Sequence, residues 1–243
     1  MKQFNIRNIP VAANVCQQVL REVERNHQWS LAHVTMNPMA SSLLHSHRQM
    51  TEVYVITKGY GELSLVAPQQ GSLCHPVVAG SVFEIPAGIP HMLENRSAGH
   101  LEHLVFAVPP FDPNDVYLLG EKYLFSQAYA LHLPKAQDCF DGAKMLAYNF
   151  SRLGLSIAFG WVMNNPTRLK RPHYHKNTTE WVYVVEGEGF VEIDRECQTI
   201  KFGDWIQINP DTEHALLNGW PEDLVVMCVC SPAFQMEDVY YRD

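Results

Sequence analysis

A recurrence at fixed spacing constrains this chain more than any single segment does. His45, His47, Glu52 and Gly59 return as His173, His175, Glu180 and Gly187, each 128 positions later. Asn37 and Pro38 return as Asn165 and Pro166 at the same offset. Further on the offset falls to 123, where Gly80, His91 and Asn95 match Gly203, His214 and Asn218. The stretch VPPFDPNDVY ending at Tyr117 is mirrored by CSPAFQMEDVY ending at Tyr240. A loop containing APQQGSLCHP absorbs the length difference, as a surface hairpin can. One unit is used twice, so the 243 residues divide into two small domains.

Each unit reads as short β-strands. TEVYVIT, GELSLVA and SVFEIPA in the first half, and TEWVYVVEG, GFVEID and DWIQINP in the second, alternate or run apolar between glycines and prolines. Closely spaced strands with turn signals predict an all-β sandwich or barrel in each half. The expected division is a barrel with an N-terminal arm over 1–117, a connector over 118–144 holding a short helix, and a second barrel over 145–243. The best helix candidate elsewhere is VAANVCQQVLREVERN, residues 11–26.

Composition removes several function classes. A net charge of −8 leaves no basic footprint for nucleic acid, and no apolar run approaches the roughly 20 residues that cross a bilayer. The N-terminus lacks the apolar core of a signal peptide, so a cytoplasmic monomer or homodimer acting on a small molecule is expected. Cys16, Cys74, Cys139, Cys197, Cys228 and Cys230 include no CxxC pair, and Cys228 and Cys230 read as core residues.

The repeated motif carries the chemistry. Residues two apart on a strand share a face, so His45 with His47, and His173 with His175, can aim into one barrel. Two imidazoles on one face can converge on a divalent ion, and a carboxylate a few residues later adds an oxygen ligand. A third histidine from a distant strand would close one side of the coordination sphere. Such a set suits Fe, Mn, Ni or Zn with open positions better than a closed structural site. Half of the twelve histidines fall at the matched positions, which a chance HxH does not explain.

The spacing HxHxxxxE followed by a glycine resembles the first motif of the cupin superfamily. GSVFEIPAGIPHMLEN, residues 80–95, is similar to the second motif, with its glycine, PAG, histidine and asparagine in place. The second copy, GDWIQINPDTEHALLN, departs: Asn209 and Asp211 stand where proline and glycine are usual. The resemblance covers about 90 residues in each half and implies a bicupin: two tandem jelly-roll barrels, each with a double-stranded β-helix. Carried over residue by residue, it implies His45, His47, Glu52 and His91 around one metal. It likewise implies His173, His175, Glu180 and His214 around a second. The stretch HYHKNTTEW further resembles the corresponding stretch of oxalate decarboxylases, although the flanking residues differ.

Between the copies, Leu43 corresponds to Arg171. Alternation places Arg171 on the ligand face, where it or Lys170 can grip an acidic substrate, while Leu43 and Tyr54 line the first cavity. Tyr54 is a candidate proton donor; His33, His100, His103 and His132 read as structural. Cupins with these ligands include dioxygenases, decarboxylases, isomerases and epimerases. The oxygen-friendly ligand set favours a dioxygenase. Decarboxylation or isomerisation of a small acid or sugar is the alternative, and a non-catalytic binding or storage bicupin the second.

Overall fold

The computed structural model describes residues 2–14, 18–67, 71–119, 125–128, 137–138, 144–164 and 171–242. It divides into two compact units, Ile9–Leu133 on one side and Met1–Asn8 with Pro134–Asp243 on the other.

In the first unit one sheet runs in the order Val19–Arg25, Ser30–Met36, Leu101–Val108, Thr51–Lys58, Val82–Ile85. The other runs Val116–Leu118, His45–His47, His91–Asn95, Tyr60–Ala67, Gly71–Val78, Phe125–Ala128. The second unit repeats both orders. Its larger sheet contains Lys144–Phe150, Leu155–Val162, Leu224–Ser231, Thr179–Glu186 and Asp204–Ile208 in sequence of pairing. Its other face is made from Val239–Tyr240 with Tyr174–His175, and from His214–Leu217, Glu188–Ile193 and Glu196–Lys201. A bridge between His173 and His214 joins those two pieces in the order seen in the first unit. The bicupin architecture expected from the sequence is therefore present, with Phe125–Ala128 added at one sheet edge of the first unit and Lys2–Asn5 and Gln137–Asp138 at the sheet edges of the second.

The central strands explain why the pattern folds this way. Thr51–Lys58 is rich in β-branched and aromatic residues and is buried on both faces from Thr51 to Ile56. One face meets the barrel interior, where Tyr54, Ile56, Leu63, Val77, Phe83, Ile85 and Leu93 pack together. At the matching places the second barrel packs Val182, Val184, Val191, Ile200, Ile206, Ile208 and Leu216. Each such aliphatic side chain taken from water contributes about 1.5–3 kcal/mol. The repeated Gly59 and Gly187 turn the chain at φ +83° and +80°. A Cβ there would meet the His100 or Asp223 carbonyl oxygen at 2.7 or 2.6 Å, so no other residue fits.

Two expectations are corrected. Within residues 11–26, Val19–Arg25 is a strand paired with Ser30–Met36, not a helix; the partner strand supplies backbone hydrogen bonds and a buried face for Val23, outweighing local propensity. The N-terminal arm belongs to the second barrel: Lys2–Asn5 pairs with Asp204–Ile208, and Asn5 Nδ2 donates to Asp204. Most of the connector, where the short helix is expected, lies outside the described residues; within it Phe125–Ala128 and Gln137–Asp138 are strands. Among the described residues no helix is long and apolar enough to cross a membrane. Cys230 is buried and Cys228 packs against the second core, as expected of core thiols, whereas Cys16 and Cys139 lie outside the described residues.

Candidate metal centres

The two sheets of each barrel bring the ligands together. His45 pairs across the strands with His91, so both histidines project from one sheet at the same level. His173 and His214 repeat this, each backbone N–H donating to the other's carbonyl at 3.0 and 2.8 Å. Glu52 and Glu180 arrive from the facing sheet, opposite Ile85 and Ile208. In each cluster the four candidate ligand atoms lie within 4.8 Å of one another. Glu52 Oε2 is 2.9 Å from His91 Nε2 and 3.4 Å from His47 Nε2; Glu180 Oε2 is 3.1 Å from His214 Nε2 and 3.4 Å from His175 Nε2. The structure thus brings together all eight residues that the resemblance implied.

These atoms fit a divalent ion better than they fit one another. His47 Nε2, His91 Nε2, Glu52 Oε2 and His175 Nε2 are buried without a hydrogen-bond partner. Buried polar atoms left so are costly, and one cation in each cluster, meeting the first three at one site and His175 Nε2 at the other, would satisfy them. Burial pushes His45 down to about 4 and His173 down to about 3, so both are neutral and ready to ligate at neutral pH. Burial alone would also lower His47 and His175 and raise Glu52 and Glu180. The close imidazole–carboxylate contacts outweigh it, raising both histidines and holding both carboxylates well below their usual range.

The remaining ring nitrogens are tied down by backbone. His45 Nδ1 donates to the Leu43 carbonyl, His47 Nδ1 to that of Asp115, and His91 Nδ1 to that of Ile89. His175 Nδ1 donates to the Asp238 carbonyl and His214 Nδ1 to that of Thr212. Each such bond fixes the tautomer and turns Nε2 toward the ligand cluster as an acceptor.

Asp115 and Asp238 are supporting residues that the motif reading missed. The Asp115 carboxylate accepts from the backbone N–H groups of Arg48, Gln49 and Met50, immediately after the first HxH. Asp238 accepts from Lys176, Asn177 and Thr178 in the second copy, including the Thr178 hydroxyl at 2.9 Å. Burial alone would raise these carboxyls, but their donors outweigh it and hold both low. The signal was present in the mirrored DVY triplets, 115–117 and 238–240.

The unusual turn of the second copy is preserved. Asp211 takes φ +61° where Gly88 takes +85°, and its N–H donates to the His175 carbonyl just as that of Gly88 donates to His47. Aspartate is one of the few side chains that tolerates this left-handed conformation.

A cavity of about 220 Å³ opens over the first cluster. It is bordered by His45, His47 and Glu52, and by Tyr54 and His103. Tyr54 is buried, with its ring 5.8 Å from that of His91 and 5.2 Å from that of His103. Leu43 is partly exposed, and it is its carbonyl rather than its side chain that serves the ligand His45. Arg171 does not reach the second cluster: it is exposed, with its guanidinium 4.1 Å from the Tyr241 ring centroid. Pro172 intervenes and pairing begins only at His173, so the strand alternation does not extend back to residue 171. Lys170 lies outside the described residues.

Of the histidines read as structural, His100 is exposed and His132 lies outside the described residues. His33 is buried against Glu102, Nε2 to Oε2 at 3.2 Å, as a structural residue would be. His103 borders the cavity instead.

Comparison with known proteins agrees with this geometry. A family model described as Cupin matches residues 15–114, and one described as Cupin domain matches residues 161–230. An uncharacterized protein of Methanocaldococcus jannaschii is 35% identical over 66 residues, 27% of this chain and 53% of that protein. The match thus spans about half the length of that curated relative. Among solved structures, a formate complex of oxalate decarboxylase from Lactobacillus farciminis superposes with a TM-score of 0.70 at 19% identity, covering 98% of this chain and 87% of that one. The oxalate decarboxylase of Bacillus subtilis, studied for its Mn(II) centres, gives 0.69 at 18% identity over 96% and 78%. At these identities the likeness is one of fold.

Proposed function

Because this chain is a two-domain member of the cupin superfamily, we propose that it is a metal-dependent enzyme that decarboxylates a small organic acid. The observation that carries this reading is the first cluster: three imidazoles and one carboxylate, bare toward one point, at the floor of a cavity large enough for a small molecule. The oxalate decarboxylases that share the fold favour carbon–carbon cleavage over the oxygenase chemistry expected from the ligands alone.

His45, His47, Glu52 and His91 would hold the ion in the first barrel, and His173, His175, Glu180 and His214 in the second. When bound, a divalent metal such as Mn(II) supplies Lewis acidity to the substrate carboxylate and its neighbouring oxygen. The chain's own residues do the rest. The aliphatic walls exclude water, which strengthens every electrostatic contact inside. Departure of CO₂ leaves an electron pair on the adjacent carbon, and a proton must be returned there. Tyr54, whose side chain borders the cavity beside the ligands, is assigned that delivery.

The test is simultaneous measurement of CO₂ release and O₂ uptake by metal-loaded protein on a panel of small acids. CO₂ release without matching O₂ consumption is expected, and its loss in Glu52→Ala. Stoichiometric O₂ uptake would instead establish the oxygenase.

A further inference from the structure

The cavity over the first cluster says more about its occupant than the ligands do. Its walls are largely aliphatic, with Leu20, Leu31, Val34, Val105, Ala107 and Phe111 among them. Among the described residues no lysine or arginine borders it; the charged ones there are Glu22 and Glu52, and Glu22 is already engaged by Arg25. A substrate with two carboxylates would therefore have a counter-charge for one of them, at the metal ligands, and none for the other. At roughly 30 Å³ for each water, the cavity offers the space of about seven, more than a two-carbon acid needs.

Among the other polar side chains that border it, Asn14, Ser30 and Ser42 are engaged by backbone groups, whereas His103 is not. His103 is 1% exposed, and its Nδ1 has no hydrogen-bond partner among the described residues. Such a group is normally satisfied, so one left bare beside a cavity points to a ligand. The second barrel shows that the fold does not require it. Leu101 and Leu224 are matched at the 123 offset, which aligns His103 with Val226; likewise Tyr54 aligns with Val182 at 128. Both valines belong to the apolar core of the second barrel. Burial pushes His103 down to about 3, so at neutral pH it presents one donor and one acceptor and adds no charge.

We propose that the first barrel takes an organic acid with a single anionic head and an apolar body, and that His103 holds a polar atom of that acid at a second point. The proposal rests on the reading of the first cluster as a metal site that binds a carboxylate. His103 is a positioning and selectivity residue in this scheme, and proton delivery stays with Tyr54.

The test uses the full chain carrying His173→Ala and His175→Ala, so that Mn(II) binds in the first barrel alone. The Mn(II) paramagnetic resonance spectrum is followed while 4-methyl-2-oxopentanoate or oxalate is titrated in. The branched oxo acid is expected to perturb the spectrum at a concentration at least tenfold below that for oxalate. His103→Val is expected to weaken the oxo acid tenfold or more with Mn(II) retained. Ala107→Leu, which fills the cavity from another wall, should block the oxo acid while leaving oxalate. Equal or tighter oxalate binding, or His103→Val binding like the parent, overturns the proposal. So does a Mn(II) spectrum indifferent to the oxo acid. Tight, His103-dependent binding without CO₂ release would sustain the proposal and sink the decarboxylase reading alone; failure to retain Mn(II) would sink both.

Discussion

The two barrels agree wherever they touch the proposed metal and disagree one layer behind it. Ring-centroid separations among the three histidines are 5.1, 4.2 and 5.8 Å in the first barrel and 5.2, 4.4 and 5.8 Å in the second. The turn clamps Asp115 and Asp238 also correspond. Yet His33, Tyr54, Glu102 and His103 of the first barrel stand where the second has Phe159, Val182, Val225 and Val226. Ligand geometry tolerates little change, because four groups must converge on one point. The walls are free to diverge, and that is where two copies of one unit can acquire different duties.

The largest effect should come from removing a ligand on one side only. Glu52→Ala and Glu180→Ala are each expected to lower bound metal from two ions to one per chain, measured by elemental analysis after dialysis. Turnover should fall about a thousandfold, equivalent to about 4 kcal/mol of transition-state stabilisation, in Glu52→Ala alone. Equal loss in both variants would erase the division of labour inferred from the walls.

The clamps come next, and here the barrels should behave alike. Asp115→Ala and Asp238→Ala each leave three backbone N–H groups without their acceptor. Each should weaken metal binding in its own barrel by about 10–100-fold, read by chelator competition. A destabilisation of about 2–3 kcal/mol should accompany it in thermal unfolding.

What was legible in the sequence follows the same line. The ligands were legible because HxH is a local spacing and the copy stands at a constant offset. Asp115 was harder: its partners lie 65–67 residues away, so only the mirrored triplet hinted at it. His103 was hidden for the opposite reason, since the repeat that exposed the ligands has a valine there. The N-terminal strand was misassigned because pairing with Asp204–Ile208 joins residues about 200 positions apart, which no local pattern encodes. Arg171 was misread because alternation was extended through a proline.

A smaller effect should mark the polar pair peculiar to the first barrel. His33 and Glu102 are both buried, 3.2 Å apart, where the second barrel has Phe159 and Val225. Removing one partner leaves a buried polar group uncompensated, so Glu102→Val alone should cost about 3 kcal/mol. Adding His33→Phe, which completes the second barrel's pattern, should recover most of that loss in chemical denaturation. If the double variant is as unstable as the single, the pair is integral to the first barrel and not an alternative filling of the same space.

The smallest expected effect concerns the turn at which the copies differ in residue but not in conformation. Asp211 holds φ +61° and Gly88 holds +85°, and both N–H groups donate to the carbonyl of the second histidine in HxH. Two opposing terms decide the outcome of Asp211→Gly. Glycine removes the left-handed penalty, but it also loses more backbone freedom on folding, by about 0.4–1 kcal/mol. The stability change should therefore lie within about 0.5 kcal/mol of zero. Asp211→Val separates the terms, since a β-branched residue keeps the entropy advantage yet pays the full steric cost of about 1–2 kcal/mol. Because the donated hydrogen bond ends on His175, that strain should also loosen metal held by the second barrel while leaving the first unchanged. Loss confined to stability, with metal retention equal in both barrels, would show that the turn supports the fold without orienting the ligand.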